Sequence, residues 1–519
     1  MRVLAKNFRL KRSFNLGFRT NFLYLVGIAL LVGVALFFLG NPQVFFAVTG
    51  PIFPKIQPLR PNIVFIMTDD QDLRSLESRH PNGELILKNI NTLLGQQGVN
   101  FTNNFDSFSL CCPSRVTLLT GQYAHNHKVL DNEMPWGGYH KFKQLGLENN
   151  SLAVWLEQAG YQTIHLGKYV NGYGRPPGVN TAVPPGWNKW FTIFGSLNYY
   201  DYFINEEGVI KEFGETPAEY LTDVITEKAV QYLKEQKSSK KPFFMVVDYY
   251  APHASPWGGD IIVPAPRHDN LLTDYNPLFP SSFNEEDVSD KPQKVRNLPL
   301  LNQDDIDKII DARRDGLEAL MAVDEGVSQI IETLADAGKL KTTYIIFTSD
   351  NGFMFGEHRI PMSKNWPYEE SIRTPLLIRG PNIAPGVTIS KLTTNVDYAP
   401  TILDITKARP GLPQDGRSLM ALITNPDVEW RKDFLIETGP FPYYTGVRSE
   451  NYKYVEYDND LDGVIDETEF YNFIPDQCQP NEDLYETESQ HVNPCYQTLL
   501  EEFQQRLSEL KNCFGENCW

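Results

Sequence analysis

Positive charge is scarce in this chain. Forty-seven Lys and Arg stand against 65 Asp and Glu, a formal net charge of −18. That deficit excludes nucleic acid as the main partner, because a phosphate backbone needs a surface rich in cations. It does not exclude a small anionic substrate, which needs positive charge only inside its pocket. Cysteine is scarce too, with six in 519 residues. No internal repeat is present, so a solenoid or propeller built from a repeating unit is excluded. Composition is otherwise that of a globular protein, 41% hydrophobic and 22% charged, which excludes a mainly disordered chain.

What is present begins with the N-terminus. Arg2, Lys6, Arg9, Lys11, Arg12 and Arg19 precede any acidic residue, and Phe22 to Leu39 carries no charge. That run is just long enough to span a bilayer. The basic flank would stay in the cytoplasm and send the remainder outside. An uncleaved anchor and a signal peptide both fit; in the first case the membrane is itself a partner, and in the second the chain is secreted, periplasmic or lysosomal. The cysteines agree with export. Cys478, Cys495, Cys513 and Cys518 gather near the end of the chain; four cysteines allow three pairings, of which the sequence-local one, Cys478–Cys495 with Cys513–Cys518, is the expectation. Zinc is the alternative, and no C-x-x-C spacing among these four supports it.

Asn62 to Thr68 is a continuous apolar run ending at Asp69 and Asp70. A run without alternation indicates a strand buried on both faces. The pattern recurs at Tyr161 to Gly167, Phe243 to Asp248, Thr343 to Ser349 and Pro375 to Ile378, with helical periodicity between, clearest over Ile306 to Ala337. Strands alternating with helices predict a mostly parallel α/β sheet. Ligands of such sheets bind beyond the carboxyl ends of the strands, and Asp69, Asp70, Lys168, His253, Asp350 and Asn351 all fall there. The expected organisation is a basic region at 1–21, an apolar anchor or signal core at 22–40, a linker at 41–60, a catalytic domain at 61–424 and a smaller α+β domain at 425–519. In the last, Asp433 to Ile436 and Tyr444 to Tyr457 read as strands and Leu499 to Leu510 as a helix.

Cys111-Cys112-Pro113-Ser114-Arg115 with Leu119-Thr120-Gly121 resembles the sulfatase signature C-x-P-S-R-x-x-x-L-T-G at every fixed position. The resemblance to sulfatases covers about residues 60 to 457. It implies the alkaline-phosphatase-like α/β/α sandwich with a smaller C-terminal domain. It also implies that a formylglycine-generating enzyme oxidises Cys111 to formylglycine. The hydrated aldehyde offers two hydroxyls. One attacks sulfur and expels the alcohol; the other loses its proton, and sulfate leaves as the aldehyde re-forms. A thiolate would give an adduct that is hard to break.

Asp69, Asp70, Asp350 and Asn351 make a hard oxygen donor set suited to calcium or magnesium; the resemblance implies calcium, with Cys111 completing the ligands. Preorganised cations should face the charge that develops on sulfate oxygens. Arg115 lies inside the signature, Lys168 in a stretch that resembles the second sulfatase signature, and Lys364 where the family places another sulfate-binding lysine. The family uses a histidine like His253 to contact sulfate and protonate the leaving oxygen. His125, His127 and His358 are further candidates for substrate contact. Many sulfatases carry a histidine two residues beyond the second-signature lysine; this chain has Val170, which leaves the base for sulfate release open, with His127 as one substitute. Gly167 to Gly174, Tyr123 to His127 and the Cys513–Cys518 pair look like the N-acetylglucosamine-6-sulfatase branch, implying a sulfated carbohydrate as substrate.

Asp458, Asp460, Asp462, Asp466 and Glu469 fit the EF-hand loop pattern around Gly463, although the segment before it reads as a strand rather than a helix. A second, structural calcium site and a solvated acidic hairpin both fit. Two other functions remain compatible with the residues: a phosphonate monoester or phosphodiester hydrolase of the same superfamily, and an inactive, membrane-anchored binding protein.

Overall fold

The structure is a computed structural model that describes residues 60–176, 179–255, 261–439 and 444–519. The basic region, the apolar segment and nearly all of the linker lie outside the described residues. In chain order the strands are β1 (Asn62–Thr68), β2 (Val99–Phe101), β3 (Asn104–Phe105), β4 (Gln162–Gly167), β5 (Lys189–Ile193), β6 (Tyr202–Glu206), β7 (Val209–Phe213), β8 (Phe243–Asp248), β9 (Thr343–Ser349), β10 (Leu376–Arg379), β11 (Val387–Ile389), β12 (Thr393–Thr394), β13 (Asp433–Glu437), β14 (Tyr444–Ser449), β15 (Tyr452–Tyr457) and β16 (Glu467–Asn472). Ten form one sheet in the order β11-β2-β10-β9-β1-β8-β4-β5-β6-β7.

The apolar runs produce this sheet because successive side chains point to opposite faces. Val64 and Ile66 of β1 enter one core with Leu317, Val323 and Ile330. Ile63, Phe65 and Met67 enter the other with Val116, Trp155 and Ile402. Each face is therefore covered by helices, which is why the strand lacks polar alternation. The helices needed below are α1 (Cys111–Thr120), α2 (Leu221–Glu235), α3 (Gln303–Asp336) and α4 (Gln497–Leu510). The first turn of α3 is closed by a capping box between Asn302 and Asp305, which satisfies two otherwise orphaned N–H groups.

The sheet is mixed rather than simply parallel. β9, β1, β8, β4 and β5 run parallel. β10 is antiparallel to β9, and β6 and β7 add an antiparallel edge. The expected strand at Pro375 to Ile378 is thus present one residue later and reversed; its short apolar run carries no directional signal. The expected strand Tyr444 to Tyr457 is a hairpin, β14 and β15, turned where Ser449 Oγ bonds both the N–H and the carbonyl of Tyr452. β13 to β16 make an antiparallel sheet. One face packs against α4 through Leu435, Val447, Tyr454, Leu500 and Leu507. The other packs against Phe105, Ile372 and Leu392 of the larger part. Cys478 is bonded to Cys495 and Cys513 to Cys518, the pairing expected.

Candidate active site

The sheet order sets side by side what the sequence keeps far apart. Thr68 of β1 is in register with Ser349 of β9, so Asp69 and Asp70 emerge beside Asp350 and Asn351. β8 and β4 follow on the other side, bringing Asp248, the loop to His253, and Lys168. The α1 helix begins at the same edge with Cys111, buried and with a free thiol. Asp70 adopts a left-handed backbone with φ of 66°, which turns the chain so that both adjacent carboxylates face the edge.

Charges interlock here. Arg115 donates from Nε to Asp350 Oδ2 at 2.9 Å and from Nη1 to the Lys168 carbonyl at 3.0 Å. It also approaches Asp248 at 3.4 Å and Asp69 at 3.8 Å. Lys168 is ion-paired with Asp69. Lys364 donates to Asp70 Oδ1 at 2.5 Å and to Cys111 Sγ at 2.8 Å, and the thiol lies 3.4 Å from Asp69 Oδ1. Asn351 Nδ2 donates to Asp70 Oδ1 at 2.6 Å. His253 Nε2 lies 3.6 Å from Asp70 Oδ2, and its Nδ1 is hydrogen-bonded to the Ala254 carbonyl.

Burial alone would raise the Asp69 carboxyl; Lys168, His253 and Arg115 outweigh it and hold the group below the usual carboxylate range. Asp70 is lowered in the same way, burial being overcome by Lys364 and His253. Burial opposes the charge of Lys168 and Lys364, yet Asp69 and Asp70 respectively keep both raised. Burial and Asp69 push the Cys111 thiol up, so an unmodified thiol here stays protonated and is a poor nucleophile. Burial lowers His253.

The carboxylates with Asn351 suit a hard cation. Asn351 Oδ1 is buried with no partner among the described residues, which is an amide oxygen in want of a cation or donor. Asp69, Asp70, Cys111 and His253 offer atoms within 4.8 Å of one another.

A cavity of about 350 Å³ opens over this edge, within the size range of small-ligand sites. Asp70, His253 and Lys364 lie at its floor, and Ile262, Leu317, Phe353 and Phe355 among its walls. His125, His127 and His358 do not line it, which corrects the expectation of substrate contact. His125 is bonded to Glu437 and to the Cys513 carbonyl. His127 is 2% exposed; its Nδ1 accepts the Val129 N–H and its Nε2 bonds Thr117. Burial lowers it to about 3, so it cannot stand in for the histidine that Val170 replaces. Val170 itself is buried in the core.

Asp248 escaped the sequence reading although it ends a buried strand just as Asp69 follows one; that position was the available signal. Arg313 also lines the cavity, 3.4 Å from Asp72 and over the Phe355 ring. Nothing in its helical segment distinguishes it from a surface arginine. Of the acidic loop, Asp458, Asp460 and Asp466 come together. Glu469 does not join them: it is buried and bonded to the hydroxyls of Tyr368, Tyr457 and Tyr471. Strand alternation turns it inward, so it is not the bidentate closing ligand that the pattern calls for.

Residues 61–408 match the sulfatase family model, and residues 356–513 match that of the C-terminal part of N-sulphoglucosamine sulphohydrolase. N-acetylglucosamine-6-sulfatase of Capra hircus is 36% identical over 387 residues, covering 73% of this chain and 66% of that protein; the chain thus spans just under two thirds of that relative. A solved structure in complex with its substrate D-glucosamine-2-N,6-O-disulfate superposes with a TM-score of 0.71 at 26% identity, covering 87% of this chain and 97% of that one. The phosphonate monoester hydrolase of Silicibacter pomeroyi shares the fold, with a TM-score of 0.66 at 20% identity over 87% of this chain and 96% of that one. With the signature residues gathered at one sheet edge and the family model matching across most of the chain, this protein belongs to the sulfatase family.

Proposed function

We propose that the chain hydrolyses sulfate esters of sulfated sugars, with Cys111 matured to formylglycine and a calcium ion held by Asp69, Asp70, Asp350 and Asn351. The observation that carries this reading is the contact of Cys111 with Lys364 and Asp69, where separate motifs meet at a single atom. The Cys111 sulfur stands where the aldehyde hydrate would sit. Calcium, when bound, withdraws charge from the sulfate oxygens as a Lewis acid.

The chain's own residues do the remainder. Lys168 and Lys364 present fixed positive charge to the sulfate, donors that need no reorganisation as charge develops. Arg115 holds Asp350 and Asp69 in place from behind. His253 faces the cavity with Nε2; its Nδ1–H is taken by the Ala254 carbonyl, so the neutral ring carries its lone pair on Nε2 and must bind a proton there before it delivers one to the departing alcohol oxygen. It then accepts the proton released as sulfate leaves, because it is the histidine that lines the cavity among the described residues. The domain limits 61–424 and 425–519 belong to this proposal, as does export: two disulfides are kept in an oxidising compartment. The relatedness to an N-acetylglucosamine-6-sulfatase favours a 6-sulfated hexosamine.

The test is sulfate release by the full chain, coexpressed with a formylglycine-generating enzyme, with Cys111→Ala as control. Substrates are N-acetylglucosamine 6-sulfate, sugars sulfated elsewhere, an aryl sulfate and a phosphonate ester, each with calcium and with chelator. Release from the 6-sulfate, lost in the control, supports the reading. Release only from other sulfates removes the hexosamine assignment. Turnover of the phosphonate alone overturns sulfate hydrolysis. An unmodified Cys111 peptide mass in protein from the native host would favour a binding role.

A further inference from the structure

The segment that carries Lys364 also carries His358, and His358 is fully buried away from the cavity. Its Nδ1 is hydrogen-bonded to Glu285 Oε2 at 2.7 Å; with Nδ1 as the donor, the lone pair falls on Nε2. That atom is buried and has no partner among the described residues, and the same holds for Glu370 Oε2. Glu486, from the C-terminal part, completes the group: the three residues offer atoms within 4.8 Å of one another. An imidazole fixed by a carboxylate through one nitrogen and presenting the other is how proteins orient a metal-binding histidine.

The charges around this point do not balance. Glu357 has Arg74, Glu285 has Lys291 and Glu486 has Lys453 as ion-pair partners. Glu370 has no such partner among the described residues. Burial, with Glu357 nearby, pushes Glu370 up to about 8, and burial lifts Glu486 to about 7 and drops His358 to about 3. His358 Nε2 and Glu370 Oε2 are thus two buried polar atoms that a dication between them would satisfy.

We propose that His358, Glu370 and Glu486 bind a transition-metal dication of the zinc or manganese type, fastening the Lys364 segment to the connection that follows β16. The imidazole donor selects such ions over calcium. Metal–ligand bonds of about 2.1 Å require ligand atoms no more than about 4.2 Å apart, so the side chains close by less than about 1 Å. The ion takes the Glu486 oxygen in competition with Lys453. This site shares no residue with the carboxylate cluster at the cavity and does not depend on the proposed reaction.

The test strips the full chain with chelator, saturates it with excess calcium, then adds zinc chloride or manganese chloride. Retained metal is counted by mass spectrometry after gel filtration. About one transition-metal ion per chain is expected, falling at least tenfold in Glu370→Gln and His358→Gln, while Asp69→Asn leaves it unchanged. No retention by the wild-type chain, or equal retention by the variants, overturns the site. Near-UV circular dichroism checks that the variants fold. Should they not, anomalous diffraction at the zinc edge from wild-type crystals decides: a peak between His358 and Glu370 supports the site, and its absence there overturns it.

Discussion

Two acidic regions of this molecule invite the same description and differ in almost every physical respect. At the sheet edge, Asp69, Asp70 and Asp350 come from strands some 280 positions apart and are buried. They are held by Arg115, Lys168 and Lys364. In the β15–β16 hairpin, Asp458, Asp460 and Asp466 are neighbours in sequence, and Asp460 and Asp466 face solvent. Their oxygens accept the loop's own amides: Asp462 and Gly463 donate to Asp458, and Asn459 to Asp466. Acids gathered from distant segments must be compensated by buried cations, and those cations make a field able to orient a sulfate. Acids strung along a turn are compensated by water and backbone, and need no partner to fold.

The sharpest break of that contrast is in stability. Arg115→Met leaves Asp350, Asp69 and Asp248 without their shared cation and should cost about 3–5 kcal/mol, since removing one side of a buried ion cluster strands the others. Asp460→Asn should change stability by less than about 0.5 kcal/mol, as an exposed substitution. Chemical denaturation of both variants measures the difference; equal costs would erase the distinction drawn here.

Activity separates the two regions next. Lys364→Met should lower kcat about 10²- to 10³-fold on whichever ester the enzyme turns over, the loss typical of one preorganised donor, and should lower the melting temperature as well, because it strands the buried Asp70 carboxylate. Asp458→Asn should leave kcat within twofold. Calcium gives the third comparison. A hundredfold excess over Kd should raise stability by about 2.7 kcal/mol through mass action, read as a shift in melting temperature. Asp350→Asn should abolish the shift and Asp460→Asn preserve it. Loss of the shift in Asp460→Asn instead would move the main calcium site to the hairpin.

These contrasts also mark how far the sequence could be read. The strands of the central sheet were legible because burial on both faces removes polar alternation, and their carboxyl ends located Asp69, Lys168 and Asp350. Cys111, Arg115, Lys168, His253 and Lys364 were legible through motifs, and the structure brings all five to one edge. The direction of β10 was not legible, because a short apolar run reads the same in either sense. Glu469 was misread since a loop pattern records spacing but not which face of a strand a side chain takes. His125, His127 and His358 were over-read for a related reason: a histidine's role depends on what occupies its two nitrogens, and those partners, Glu437, Val129 and Glu285, lie elsewhere in the chain or on the backbone.

His125 supplies the smallest effect and the one with the most definite sign. Burial would lower its imidazole, but Glu437 and the Cys513 carbonyl outweigh that and raise it above its ordinary value of 6.5. A histidine raised by folding stabilises fully below its unfolded pKa, and that stabilisation is lost as pH rises through the folded value. Asp69 and Asp70 act oppositely: lowered by folding, they stabilise above the ordinary value of 3.8 and lose that as pH falls through their folded values. Asp69 and Asp70 thus add to the acid limb of the stability profile, and His125 adds a decline just above pH 6.5 to the one that the raised carboxyls of Glu370 and Glu486 contribute in the same range. In His125→Gln the decline above pH 6.5 should flatten, by about 1 kcal/mol at most, with the acid limb unchanged. Urea unfolding between pH 5 and 9 measures it; an unchanged slope above pH 6.5 would remove His125 as a source, and a shifted acid limb would mean that the two regions are coupled.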